Sequence, residues 1–190
     1  RRHSAADILS ALSLVRESGG FDVNMDLIAG LPKDSPESFR ETLDKVISFA
    51  PENITVHTLS LKRGSAITLE KTALPPAEDV SLMLDYANAS LREAGYSPYY
   101  LYRQKFMSGG FENTGWTKKG YVNLYNIYMM EETHTVLACG AGAVTKLSAP
   151  KIKRLERIFN HKYPYEYIDR FDELLARKER IAAFYAECFG

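Results

Sequence analysis

Hydrophobic and polar positions at the start of the chain follow patterns that predict a helix and then a strand. Ser4 and Asp7 form a helix start of the S-x-x-D type, and apolar residues follow at helical spacing until Gly19. The next stretch, residues 21–29, is apolar enough to predict a strand that is buried on both faces and ends at Gly30.

A second helix and a second strand follow. Ser35 suits a helix N-cap, Pro36 suits the first helical position, and one apolar stripe continues until Pro51. Residues 54–61 are rich in β-branched side chains and predict a strand. Because a helix joins the two strands, we predict a β-α-β unit and a parallel sheet, followed by a loop over residues 62–75.

The pattern becomes less regular in the second half of the chain. Pro76 and helical spacing predict a helix that ends at Gly95, and the tyrosine-rich residues 96–103 predict a short strand. Residues 104–120, with several glycines around the single Trp116, predict a long loop of the kind that is often functional.

Two more strands and a terminal helix complete the prediction. Residues 133–138 and 144–147 predict strands on either side of a glycine-rich corner at residues 140–142. From Pro164 onward the apolar spacing predicts one long amphipathic helix whose charged face is solvated.

Composition narrows the classes of function. The 190 residues are fewer than the roughly 250 of a complete eight-stranded α/β barrel. The 24 Lys and Arg residues balance 24 Asp and Glu residues, which argues against nucleic acid or an anionic membrane surface as a partner. No apolar run approaches the ~20 residues of a membrane span. The start at Arg1, with neither an initiator Met nor a signal segment, looks like a cut.

Only two cysteines occur, Cys139 and Cys188. They exclude a disulfide-rich scaffold and are too few for a four-cysteine zinc or iron-sulfur site. A reducing, cytoplasmic setting is therefore the expectation.

The segment NMDLIAGLP at residues 24–32 holds the strongest candidate chemistry. Alternation places Asn24, Asp26 and Ile28 on one face of the predicted strand. A buried carboxylate without a partner costs several kcal/mol, so Asp26 needs a cation, backbone donors, or the hydroxyl or amine of a ligand. Two interpretations are open: a ligand site beyond the carboxyl end of the strand, and a structural Asp satisfied by neighbouring backbone.

The weaker candidates each have a structural alternative. The corner at residues 140–142 could admit a nucleoside close to its backbone or form a plain turn. His57 could be a ligand or a hydrogen-bonded core residue, and His134 is a weaker candidate. Aromatic residues could line a pocket for a large flat substrate or simply pack; they are Tyr96, Tyr99, Tyr100, Tyr102, Trp116, Tyr121, Tyr125 and Tyr128. Nearby cations could bind substrate carboxylates or be solvated; they are Arg103, Lys105, Lys118 and Lys119.

Several motifs together resemble one known family. NMDLIAGLP, DSPESFRETLDKV and ITVHTLSL resemble the second half of the radical S-adenosylmethionine (SAM) barrel of the oxygen-independent coproporphyrinogen III oxidase family. YYLYRQKFMSGGFENTGW, GYVNLYNIYMMEE and LACGAGAVTKL are similar to its coproporphyrinogen dehydrogenase subgroup, the HemZ type. The resemblance covers nearly the whole chain.

The resemblance implies a radical reaction of heme biosynthesis. Family members hold a [4Fe-4S] cluster on a C-x-x-x-C-x-x-C motif and, with an electron donor, cleave SAM into methionine and a 5'-deoxyadenosyl radical. The radical removes a hydrogen from a propionate of coproporphyrinogen III, carbon dioxide leaves, and two such events yield protoporphyrinogen IX. This chain lacks the cysteine motif. It therefore looks like the carboxyl-terminal part of the enzyme, missing the first half of the barrel and inactive by itself.

The resemblance also implies a set of SAM-binding positions. In the family, an arginine lies near the SAM carboxylate, an aspartate binds SAM, a serine contacts the nucleoside through its backbone, and a glycine corner approaches the adenosine. The matching positions here are Arg1, Asp26, Ser60, Gly140, Ala141 and Gly142. Arg103 and Lys105 are candidate partners of the substrate propionates.

The expected fold is α/β, the second part of an incomplete radical SAM barrel with an α+β extension. Residues 1–95 are predicted to form the carboxyl-terminal half of the barrel. Residues 96–190 are predicted to form a family-specific extension that completes the sheet and ends in a long helix. Two alternatives stay open: a heme-binding or heme-delivery protein on the same scaffold, and a fragment that docks on a partner through an unpaired sheet edge.

Overall fold

The computed structural model describes residues 3–61, 65–70, 72–103 and 110–190. The chain forms two compact units, Arg1–Asn123 and Leu124–Gly190. The elements of the first unit are α1 (Ala5–Ser18), β1 (Asn24–Ala29), α2 (Pro36–Ser48), β2 (Asn53–Thr58), α3 (Ala66–Leu69), α4 (Ala77–Glu93), β3 (Ser97–Tyr102) and β4 (Asn113–Thr117). Those of the second unit are α5 (Leu124–Glu131), β5 (Val144–Ala149), a 3₁₀ turn (Pro150–Ile152), β6 (Arg154–Phe159), α6 (Pro164–Asp169) and α7 (Phe171–Phe189).

A four-stranded sheet of order β1-β2-β4-β3 organises the first unit. β1 and β2 are parallel and joined through α2, so the predicted β-α-β unit is confirmed. β4 runs antiparallel to both β2 and β3. At the carboxyl end of β2 a side chain continues this pairing, since Asn113 Oδ1 accepts the Thr58 N–H at 2.7 Å.

One face of this sheet forms the hydrophobic core. Period-two alternation points apolar residues of β1, β2 and β4 toward α2 and α4, whose buried residues recur at helical spacing. The fully or nearly fully buried members are Leu27, Ala29, Ile54, Val56, Trp116, Phe39, Leu43, Val46, Val80, Met83, Ala87 and Leu91. Trp116 is 1% exposed, which supports the packing interpretation for this residue.

The predicted helix starts agree with the caps of α1 and α2. Ser4 and Asp7 form a capping box at α1, and Ser35 caps α2 with Pro36 in the first turn. No residue of α1 is buried, however. Arg16 of α1 donates to Glu52 at 2.8 Å, so a polar contact links α1 to the sheet.

Several predicted boundaries in the first unit are wrong. β1 starts at Asn24 rather than 21, and only one of its faces is buried, because α2 and α4 cover one side of the sheet. β2 ends at Thr58, and the described part of the predicted loop 62–75 contains the short helix α3, which Ser65 caps. Residues 62–64 and 71 of that loop lie outside the described residues. β4 lies within the predicted loop 104–120, where pairing with strands on both sides satisfies its backbone. Residues 104–109 of that prediction lie outside the described residues.

The second unit departs further from the prediction. The predicted strand 133–138 reduces to a single bridge between Val136 and Lys146, because the hydroxyls of Thr135 and Thr145 accept the neighbouring backbone N–H groups that a ladder would pair. α5 and β6 were not predicted. The predicted terminal helix is two helices, since the backbone of Arg170 leaves the helical region between them.

β5 and β6 form an antiparallel hairpin, and Phe184 of α7 is fully buried in its core. Beside it, Arg154 and Arg180 pair with Glu156 and Glu187. None of the helices in the described part of the chain is long and apolar enough to span a membrane.

Candidate functional site

The sheet face opposite the core is polar, and we call it the polar face. The register places Asp26, Thr55 and Gly115 in one row across β1, β2 and β4, with Tyr100 of β3 next to Gly115. The polar face consists of Asn24, Asp26, Ile28, Asn53, Thr55, His57, Asn113, Gly115, Thr117, Tyr100 and Tyr102. The alternation predicted for Asn24, Asp26 and Ile28 is therefore confirmed.

Asp26 is held by its neighbours on this face while remaining open to solvent. Asn24 Nδ2 donates to its Oδ1 at 2.7 Å, and His57 Nε2 lies 3.8 Å from the same oxygen. The adjacent His57 ring is the largest cause that lowers the pKa of Asp26, and Asn24 and Thr55 add to it against the opposing effect of burial. The side chain is 59% exposed. The carboxylate is thus ionised, oriented and accessible.

Two tyrosines extend the network across the sheet. The Tyr102 hydroxyl lies 3.1 Å from His57 Nδ1, and the Tyr100 hydroxyl lies 3.3 Å from Thr55 Oγ1. Thr55 Oγ1 in turn donates to Asn24 Oδ1 at 3.2 Å. Burial raises the pKa of Tyr100, so its hydroxyl keeps its proton at neutral pH. Side chains from β1, β2 and β3 therefore form one connected polar network.

A cleft of about 340 Å³ opens on the polar face at the carboxyl ends of β1 and β2, and we call it the polar-face cleft. Asp26, His57 and Tyr102 line it together with Ser60, which follows β2. Ligands bind at this end of the strands in open α/β sheets. Of the positions that the sequence predicts for SAM, the structure brings Asp26 and Ser60 to one cleft.

Further polar groups adjoin Asp26 on its other side. Lys33, Asp34 and Thr42 line a second depression that includes Asp26. A larger depression, of about 560 Å³, lies on the opposite face of the sheet beside α4. Arg103 lines this larger depression and lies 3.3 Å from Glu112, so the structure does not place it in the polar-face cleft.

The glycine corner of the second unit is a hydrogen-bonded turn. Gly140 and Gly142 have φ values of 97° and 72°, which favour glycine. The Ala143 N–H donates to the Gly140 carbonyl at 3.3 Å, and Asn160 Nδ2 donates to the same carbonyl at 2.8 Å. Ala141 is exposed at its tip. Asp26 and Ser60 belong to the first unit, and a site that they share with residues 140–142 stays a prediction.

The remaining candidates have mixed outcomes. Arg1 and Lys105 lie outside the described residues. Tyr96 is buried and its hydroxyl donates to the Pro51 carbonyl at 2.6 Å, which is a packing role. His134 stacks on Tyr128 with the ring centroids 3.9 Å apart. Among the described residues, no group of three His, Cys, Asp or Glu side chains is arranged to hold a metal ion.

Sequence reasoning did not single out Thr55, Gly115 or the pairing of His57 with Tyr102. The alternation within YYLY was the available signal for Tyr100 and Tyr102, because it places them on one face of a strand. Nothing in the sequence indicated that β3 lies two strands away from β2.

Three proteins are informative relatives of this chain, although no known family model matches it. It is 39% identical over 180 residues to the oxygen-independent coproporphyrinogen-III oxidase-like protein HemZ of Bacillus subtilis, covering 94% of this chain and 36% of that protein. It is 26% identical over 168 residues to the heme chaperone HemW of Haemophilus influenzae, covering 88% of this chain and 40% of that protein. The solved structure of coproporphyrinogen III oxidase (HemN) from Escherichia coli, a radical SAM enzyme, matches with a TM-score of 0.62 and 21% identity, covering 91% of this chain and 39% of that one.

The likeness to HemN shows a shared fold, and the match to HemZ extends over nearly every residue of this chain. The chain spans 36% to 40% of the length of these relatives. By its sequence, the chain belongs to the group of oxygen-independent coproporphyrinogen III oxidase-like proteins.

Proposed function

We propose that this chain is part of a radical SAM oxidoreductase that converts coproporphyrinogen III to protoporphyrinogen IX by oxidative decarboxylation of two propionates. The observation that carries the proposal is the polar-face cleft at the carboxyl ends of β1 and β2, which both the ionised Asp26 and Ser60 line. The similarity to HemZ, which is named for its likeness to the oxidases, supports the choice of reaction.

The residues of the cleft fit part of SAM. An ionised carboxylate accepts hydrogen bonds from hydroxyl and ammonium groups, both of which SAM carries. We propose that Asp26 and Ser60 bind SAM with the corner at residues 140–142 and with Arg1. When bound to its cluster, SAM supplies the radical that starts the reaction, and the residues of this chain bind and orient it. Lys105 remains a proposed partner of the propionates, whereas Arg103 lines the depression on the opposite face of the sheet and is not proposed for this cleft.

The cysteines of this chain do not fit a [4Fe-4S] cluster, because Cys139 and Cys188 cannot supply a C-x-x-x-C-x-x-C motif. We propose that another part of a longer protein provides the cluster ligands and the first half of the barrel, so that the chain alone is inactive. We propose further that the longer protein acts in the cytoplasm with an external electron donor.

Affinity for SAM tests the role of Asp26. In the full-length protein that carries this sequence, we expect Asp26→Asn to weaken SAM binding about 10-fold or more in equilibrium dialysis, since it removes a charge-assisted acceptor. Asp22→Asn is the matched control, because Asp22 is exposed just before β1. Equal SAM affinities in both variants would overturn the proposed site. Absence of vinyl formation from coproporphyrinogen III, in wild-type protein that holds its cluster and binds SAM, would overturn the proposed reaction.

Heme binding without decarboxylation is the second candidate function. The observation that favours it is the match to the heme chaperone HemW over 88% of this chain. Titration of the full-length protein with heme distinguishes the two functions. Stoichiometric heme binding without vinyl formation would select the second.

A further inference from the structure

We propose that His57 is a positioning residue for the SAM site: it orients the Asp26 carboxylate, while Tyr102 fixes the orientation of the His57 ring. This inference rests on the proposed function. It adds His57 to the SAM-binding positions that the family resemblance implies, which do not include this residue.

The geometry places His57 between the other two side chains. Its Nε2 lies 3.8 Å from Asp26 Oδ1, and its Nδ1 lies 3.1 Å from the Tyr102 hydroxyl. The ring also meets the Tyr102 ring edge to face, with the centroids 6.3 Å apart. The three side chains come from β1, β2 and β3 and line one cleft, so their approach depends on the register of the sheet.

The Asp26 carboxylate near Nε2 favours the tautomer that carries its proton on Nε2, in which Nδ1 accepts from the Tyr102 hydroxyl. With Tyr102 as donor to Nδ1, the remaining proton of a neutral imidazole lies on Nε2 and faces Asp26. At 3.8 Å the two groups attract each other but do not form a direct hydrogen bond, which leaves the carboxylate available to a ligand. Loss of Tyr102 would free the ring to rotate.

The test measures SAM affinity by equilibrium dialysis near neutral pH, using the full-length protein that carries this sequence. In His57→Phe we expect a roughly 10-fold loss near neutral pH, since the polar neighbour of Asp26 is gone. In His57→Gln, which keeps a donor at this position, we expect affinity within about 3-fold of wild type. Tyr102→Phe should weaken binding while Tyr165→Phe, an exposed tyrosine of the second unit, should not.

The outcomes separate this inference from the proposed function. Wild-type affinity in a folded His57→Phe variant, or an equal loss of affinity in His57→Phe and His57→Gln, would overturn the positioning role alone. No SAM binding by the cluster-loaded wild type would overturn both. Circular dichroism melts establish that each variant is folded. Tighter SAM binding by His57→Gln than by His57→Phe would support positioning through a hydrogen-bond donor.

Discussion

At Gly115 the polar face leaves no room for any side chain. The Tyr100 ring lies across the backbone of β4 at this point, and a Cβ on Gly115 would overlap the ring atoms Cδ1 and Cε1. The φ of Gly115 is not positive, so space and not backbone conformation requires the glycine. The absence of a side chain lets the Tyr100 hydroxyl reach Thr55.

We expect Gly115→Ala to lower the free energy of unfolding by about 1–3 kcal/mol, because the added methyl group displaces the Tyr100 ring. Urea denaturation followed by circular dichroism measures the loss. In a Tyr100→Ala background the same substitution should cost much less, since the overlapping ring is gone. Equal losses in the two backgrounds would contradict this explanation.

Glu52 links three segments of the first unit. Its carboxylate accepts from Arg16 at 2.8 Å and from the Val23 N–H at 2.7 Å. Burial acts to raise the pKa of Glu52, but these donors outweigh it and lower the pKa below the ordinary value. The ionised form therefore contributes to stability.

That contribution depends on pH in a defined direction. Because the folded pKa lies below the unfolded value of ~4.3, the stabilisation is present above that pH and is lost as the pH falls through the folded pKa. We expect Glu52→Gln to cost about 1–2 kcal/mol near neutral pH and almost nothing at low pH. Urea midpoints across the pH range measure this, with Glu41→Gln on the exposed face of α2 as the control. A loss that does not change with pH would refute the assignment.

At the scale of elements, α4 packs one face against the hydrophobic core and exposes the other face to solvent. Consecutive residues differ completely: Met83 is 0% exposed in the core, whereas Leu82 is 54% exposed. Helical geometry separates neighbours by about 100°, so only one of the two can face the sheet.

Truncation of these neighbours should therefore have unequal effects. We expect Met83→Ala to cost about 2–5 kcal/mol, because it leaves a cavity against the sheet, and Leu82→Ala to cost less than about 0.5 kcal/mol. Thermal or urea unfolding of the two variants provides the comparison. Similar losses would show that α4 packs with a different face.

Several elements with strong local signals were predicted, whereas β4, whose backbone is paired by two other strands, was not. α1, α2 and α4 carry start signals and apolar spacing, so their existence follows from nearby residues. The sequence of β4 predicts a glycine-containing loop, and only its pairing with β2 and β3 identifies it as a strand. The reverse holds for residues 133–138, where strand-like residues make only one bridge.

At the scale of the whole molecule, the described chain consists of two compact units that divide after Asn123. The boundary predicted at residue 95 concerns domains of a longer protein and stays a prediction. β3 and β4, which follow that boundary, share a sheet with β1 and β2. Part of the predicted extension is therefore continuous with the predicted barrel half.

The number of cysteines predicts whether the chain as a whole can assemble an iron-sulfur cluster. The 190-residue chain, treated with iron and sulfide under reducing conditions, should not assemble a stoichiometric [4Fe-4S] cluster, because Cys139 and Cys188 cannot act as three closely spaced thiolates. Iron and sulfide analysis tests this. A content near four irons per chain, roughly that of a full cluster, would contradict it.

The sequence by itself determined the helix starts, the β-α-β order, the common face of Asn24 and Asp26, and the family resemblance, because these depend on residues close together in the chain. Only the tertiary structure decided that β4 lies between β2 and β3, and hence that Tyr102 contacts His57 and that Tyr100 covers Gly115. Contacts between strands that are far apart in sequence follow from register and from the space each side chain leaves. Local periodicity carries neither of these quantities.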